Sequence, residues 1–132
     1  MHDEDPLKII ERFHGHLGPY VAIGYRMGAL ARERLGAGKM RAVFLSKIQP
    51  PVSCAVDGIQ LSSGCTMGKG QITVDDQGLV AADFTVGERK IRIRLKDAVK
   101  ARVDAGMSHE TERAYAAEMM AAPEEELFEV IP

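Results

Sequence analysis

The sequence predicts a single α+β domain, a mixed or antiparallel sheet flanked by helices. Three observations predict it. Apolar residues recur at helical spacing between Leu7 and Leu35. One segment alternates strictly, with Ile91, Ile93 and Leu95 against Arg92, Arg94 and Lys96, the pattern of an antiparallel strand with one apolar and one basic face. The elements also run helix, helix, strand, helix, three strands, two helices, which is not the regular alternation of a parallel sheet. A chain of 132 residues, 45% hydrophobic and 27% charged, suits one domain with its own core. That core is expected over about 6–105, with a helical segment over about 106–132.

Pro6 suits the first turn of a helix, with Asp3 or Asp5 as its cap. Leu7, Ile10 and Phe13 then form an apolar stripe, which predicts a helix over 6–13. The chain turns at His14-Gly15-His16-Leu17-Gly18-Pro19. A longer helix runs from Pro19 to Leu35 and stops at Gly36-Ala37-Gly38. Gly24 and Gly28 each cost up to ~1 kcal/mol of helix propensity. Four residues apart they share a face, which predicts the close approach of another backbone. Arg41 to Ile48 reads as a mostly buried strand, ended by Gln49-Pro50-Pro51. Ser53 is placed to cap a helix over 54–62, with Ala55, Ile59 and Leu61 inward and Gly64 ending it. Strands follow over 71–74, 79–86 and 90–95, separated by Asp75-Asp76-Gln77-Gly78 and Gly87-Glu88. Helices over about 96–105 and 108–120, the second capped by Ser108, precede Pro123, Glu124-Glu125-Glu126 and a short apolar tail from Leu127 to Ile131.

The formal net charge is -2 and aromatic residues make up 5%, with no Trp. Without a basic excess or stacking platforms, no nucleic-acid partner is expected. No apolar run approaches the ~18–20 residues that span a bilayer, so no membrane partner is expected. The opening residues, MHDEDPLKIIER, are acidic and then amphipathic, unlike a secretory leader. A cytoplasmic location is expected, in which Cys54 and Cys65 are free thiols or metal ligands rather than a disulfide framework.

Three short segments carry the chemistry. In His14-Gly15-His16, two imidazoles can converge on one ion, or one can ligate while the other donates a hydrogen bond; zinc, iron, nickel and copper all suit imidazole. The Gly18-Pro19 step opens a helix, whose free N–H groups favour an anion or thiolate nearby. Cys54 opens a predicted helix, a position that lowers a thiol pKa. Asp57 lies one turn later on the same face. The pair can bind a metal or divide nucleophile and base roles; a small core residue and a cap explain it equally well. Cys65 follows Cys54 on the far side of that helix. A straight helix would separate the two sulfurs by about 16 Å at ~1.5 Å per residue, so at most one joins the histidines unless the chain folds back after Gly64. Gly64-Cys65-Thr66-Met67-Gly68-Lys69-Gly70 fails as a nucleotide P-loop, because Gly70 stands where Ser or Thr should follow Lys69 and the order is helix–loop–strand. Lys69 and the loop N–H groups can still meet a small anionic substrate.

Taken in order, Phe13-His14-Gly15-His16-Leu17-Gly18-Pro19, Ala22-Ile23-Gly24-Tyr25-Arg26, Ser53-Cys54-Ala55-Val56-Asp57-Gly58-Ile59-Gln60 and Gly64-Cys65-Thr66-Met67-Gly68-Lys69-Gly70 resemble the FmdE family. This family takes its name from a component of formylmethanofuran dehydrogenase, and the resemblance runs through about residues 7–100. It implies a core similar to the sheet-forming domain of glyceraldehyde-3-phosphate dehydrogenase, and a homodimer. It implies a metal or active site built from the His-Gly-His and cysteine segments. His16 and Cys54 would then be the leading ligands of zinc or another transition metal, with His14 and Cys65 next. Cys54, Asp57 and Lys69 would be the catalytic candidates, Asp57 as a base and Lys69 orienting an anionic group. The resemblance places the chain near molybdenum- or tungsten-dependent formylmethanofuran dehydrogenase, in methanogenesis and related one-carbon metabolism. Two departures matter. The family usually has His-Gly-His-x-Cys-Pro, and here Gly18 stands at the cysteine position. The two cysteines also leave none for the C-terminal zinc finger that many members carry. An enzyme, a non-catalytic dimeric module or subunit of a larger redox complex, and a metal-free cysteine nucleophile all remain open readings at this point.

Overall fold

Asp5 accepts a hydrogen bond from the Leu7 N–H at 3.0 Å, and Pro6 follows it, so helix α1 runs from Pro6 to His14. The computed structural model describes residues 5–132; the acidic residues before them, Asp3 included, lie outside it. Ile10 faces the core, but Phe13 is 54% exposed. Each three-residue step falls about 60° short of a full helical turn, so the third member of the expected stripe rotates off the core.

Helix α2, Pro19–Leu35, is buried along most of its length, including Tyr20, Val21, Ile23 and Met27. It packs against α3, Cys54–Ser63, at backbone distance. A Cβ added to Gly24 would lie 1.9 Å from the Ala55 carbonyl oxygen, and one added to Gly58 would lie 2.0 Å from that of Val21. The close approach expected at Gly24 is therefore present, and Gly58 supplies its other half.

The sheet comprises β1 (Met40–Phe44), β2 (Ile72–Val74), β3 (Ala81–Val86), β4 (Arg89–Leu95) and β5 (Phe128–Ile131), in the order β2-β1-β3-β4-β5. β1 and β2 are parallel, joined through α3, and the other pairs are antiparallel. This is an α+β fold with a mixed sheet. Register aligns Phe44 with Ala82, Ala82 with Ile93 and Ile93 with Val130, so these residues share the core face. β5 is a strand that the four-residue tail was too short to announce by period. β1 ends at Phe44 rather than Ile48. The Leu45 carbonyl is taken by the Gln77 and Leu79 N–H groups, and Ile48 swings out to 64% exposure.

On the opposite sheet face Arg92 chelates the buried Asp83, with Nε donating to Oδ1 at 2.7 Å and Nη2 to Oδ2 at 3.0 Å. Burial pushes the Asp83 pKa up, but Arg92 and the nearby Lys90 outweigh it and hold the carboxyl below its ordinary value. Such a contribution is complete above the ordinary aspartate pKa and fades as pH falls through the lower folded-state value. Arg92→Met is therefore expected to cost about 2 kcal/mol at neutral pH. The cost should shrink at strongly acid pH, and urea titrations across pH check it.

The C-terminal helices are α4 (Asp97–Gly106), α5 (Glu112–Ala121) and the single turn α6 (Glu124–Leu127). α5 begins four residues after the expected cap, because Ser108 and Thr111 exchange side-chain-to-backbone bonds of 2.8 and 3.2 Å and close a turn of their own. Arg26 donates to the Met119, Met120 and Ala122 carbonyls at 2.9, 3.0 and 2.7 Å, which fastens the end of α5 to α2. Among the described residues, no helix is long and apolar enough to cross a membrane.

Candidate functional site

The site forms where α1 hands over to α2. Gly15 closes α1 at φ +96°, a left-handed conformation that glycine adopts without a Cβ clash. The reversal brings the His14 and His16 rings to a centroid distance of 4.6 Å, tilted by 43°. The His14 side chain is only 10% exposed, and its Nδ1–H donates to Asp57 Oδ2 at 2.6 Å. An ionised carboxylate only accepts, so Nδ1 carries a proton, and in the neutral ring the lone pair is then left on Nε2. That Nε2 is buried and has no hydrogen-bond partner among the described residues. A buried polar atom left so costs about 1–3 kcal/mol.

His16, more exposed, repeats the arrangement: Nδ1–H donates to Glu112 Oε1 at 2.9 Å. The other oxygen of Glu112 lies 3.3 Å from Nδ1 of the exposed His109. Glu112 comes from the first turn of α5 and escaped the sequence reading. An acid in a first helical turn is common, and nothing local ties it to a histidine in a distant segment.

Cys54 lines two adjoining cavities. One, of about 80 Å³, lies between His14, His16, Tyr20, Pro51 and Glu112. The other, of about 500 Å³, opens along α3 and β2 and is also lined by His14 and Asp57. Of the expected residues, His14, His16, Cys54 and Asp57 thus meet. Cys65 does not: it is fully buried, and its thiol donates to the Met40 carbonyl at 3.4 Å. Lys69 lines neither cavity and stands with Arg32 around Gly64, each 3.9 Å from where a Cβ there would lie. Among the described residues, no three His, Cys, Asp or Glu side chains are grouped closely enough to hold an ion as they stand.

The expected low thiol pKa at Cys54 is overturned. Burial first, then the Asp57 carboxylate and more weakly Glu112, push it above its ordinary value against the backbone hydrogen bond at the helix start. Ser53 occupies the cap position without a side-chain cap bond. In chelator-treated protein, Cys54 should alkylate at neutral pH several-fold more slowly than a free cysteine, and Asp57→Asn should speed it. Rates measured across pH check both.

Two imidazoles, a thiol and two orienting carboxylates around a helix junction define the class: a small α+β domain with a donor-lined pocket. A model of the family described as "FmdE, Molybdenum formylmethanofuran dehydrogenase operon" matches residues 13–129. The chain belongs to the FmdE family. It is similar in structure to a tungsten formylmethanofuran dehydrogenase FmdE-like protein from Syntrophus aciditrophicus, with a TM-score of 0.69 and 26% identity, covering 94% of this chain and 67% of that one. It is also 34% identical over 84 residues to a "Probable S-adenosyl-L-methionine-binding protein" of Archaeoglobus fulgidus. That match takes in 61% of this chain and spans only 22% of the Archaeoglobus protein.

Proposed function

We propose that this FmdE-type domain binds one transition ion of the zinc class through His14, His16 and Cys54, and serves the formylmethanofuran dehydrogenase system as a metal-dependent accessory enzyme. The observation that carries the reading is His14, whose Nδ1 is engaged by Asp57 while its buried Nε2 has no partner among the described residues. A carboxylate behind a histidine is how protein ligands to zinc are commonly held in one tautomer and orientation. His16 with Glu112 repeats it.

The donors suit the ion: imidazole nitrogens and a thiol favour zinc and its neighbours. A cation beside Cys54 would offset the burial and negative charge that keep the thiol protonated. When bound, such an ion supplies Lewis acidity. Asp57 and Glu112 fix the two rings, Tyr20 and Val21 line the small cavity, and Asp57 Oδ1 remains as a proton acceptor beside the larger one.

Zinc titration of chelator-treated protein, competed against a metal-sensitive dye, tests the proposal; saturable one-to-one binding lost in His16→Ala supports it. Turnover by the isolated domain separates an enzyme from a non-catalytic component, which would instead co-purify with a larger redox complex. Gly18 gives a gain-of-function test. Its φ of -133° is extended, and a Cβ there would lie 3.4 Å from Glu112 Oε1 and 3.5 Å from His16 Cε1, ordinary contacts. Gly18→Cys should fold normally and tighten zinc binding by about tenfold or more, since each added thiolate ligand is a strong donor.

A further inference from the structure

The larger cavity beside Cys54 has a composition of its own. Its walls are mostly apolar, formed by Ile48, Val56, Met67, Ile72 and Val74. Its volume of about 500 Å³ lies in the range of small-molecule sites, ~300–1,000 Å³. Among the described residues, no Lys or Arg lines it, and its ionisable groups are His14, Cys54 and Asp57, with His14 and Asp57 in direct contact. Met67, 74% exposed, and Val74, 41% exposed, both line this groove, an apolar exposure that a ligand seated there would cover.

We infer that this groove binds an uncharged amphiphile, its apolar body between α3 and the edge strand β2, and its hydrogen-bonding head at His14, Cys54 and Asp57. The head is specified by two groups. Asp57 spends Oδ2 on His14 and keeps Oδ1 as an acceptor. Gln60 accepts from the Met67 N–H through Oε1 at 2.9 Å, which leaves its side-chain NH₂ to donate. An amide-like head satisfies both, whereas in metal-free protein a carboxylate meets Asp57 with like charge and no Lys or Arg lining the groove to compensate. This departs from the anionic substrate that Lys69 suggested, because Lys69 stands away from the groove. The inference rests on the metal reading for what happens at the head, but not for binding.

Octanamide and octanoate are matched probes, alike in length and differing in head charge. Isothermal titration calorimetry of chelator-treated protein at neutral pH should show saturable octanamide binding, with octanoate weaker by about tenfold or more. Met67→Glu and Val74→Glu, both at exposed positions, should abolish octanamide binding while leaving the melting temperature unchanged. The inference is overturned if octanamide does not saturate, if octanoate binds as well, or if neither substitution matters. It is equally overturned if sedimentation finds a dimer that Val74→Glu dissociates and octanamide does not bind, since a second copy then fills the groove. Running chelator-treated and zinc-loaded protein in parallel separates the two claims. Octanamide bound without zinc uptake removes only the metal reading, and zinc uptake without octanamide removes only this one.

Discussion

Gly58→Ala is expected to destabilise the domain by about 4 kcal/mol or more, enough to prevent folding in a marginal background. The new methyl would lie 2.0 Å from the Val21 oxygen, 2.4 Å from the Tyr25 nitrogen and 3.0 Å from the Gly24 carbonyl carbon. All three are backbone atoms of α2, so no rotamer change relieves the clash and the helices must part. Gly24→Ala should behave alike, meeting the Ala55 oxygen at 1.9 Å. Gly28→Ala is the graded control. Its nearest neighbour is the Ser62 hydroxyl, which can rotate, leaving backbone contacts of 3.0 and 3.1 Å. A cost of about 1–2 kcal/mol is expected there. Guanidinium titrations of the three variants check the order. The contact also governs the site, because α2 follows His16 while α3 carries Cys54 and Asp57. Any variant that parts these helices should lose the His14–Asp57 bond and metal uptake together.

His14→Ala is expected to lower zinc affinity by at least about a hundredfold, with a stability change below ~1 kcal/mol. The small stability effect follows from two opposing terms. The substitution removes a buried nitrogen without a partner among the described residues, and it releases Asp57, which is exposed enough for water to solvate it. Asp57→Asn separates orientation from ligation. The amide oxygen can still accept from Nδ1, but without charge, and affinity should fall by about 10–100-fold rather than vanish. Zinc competition assays paired with thermal melts decide between these outcomes. Equal losses in the two variants would mean that Asp57 does more than orient His14.

The sequence made legible what depends on local spacing. Pro6 after Asp5, Gly15, Gly36 and Gly64 mark helix ends by backbone chemistry that operates within a few residues. Gly24 and Gly28 on one helix face announced the close approach of another backbone, which is that of α3. The helix length between Cys54 and Cys65 argued against a shared ion unless the chain folds back after Gly64, and Cys65 lies fully buried in the core. What long-range packing decides was not visible. Ile48 looks like the end of a buried strand, yet the Leu45 carbonyl is claimed by a turn far along the chain. Phe128–Ile131 pairs with β4 through register that no four-residue pattern encodes. Glu112 reaches His16 across most of the chain. Cys54 reversed its expected acidity because a helix start favours thiolate only when burial and neighbouring carboxylates do not oppose it.

The central claim is that His14, His16 and Cys54 hold a transition ion in the small cavity at the helix junction. Anomalous diffraction at the zinc, iron and nickel edges, on crystals of untagged protein purified without chelator and then equilibrated with zinc, tests it most directly. The account predicts a single peak bonded to Nε2 of His14 and of His16, with the Cys54 sulfur as third donor. An ordered water on His14 Nε2, with no anomalous peak at that position at any edge, would contradict it.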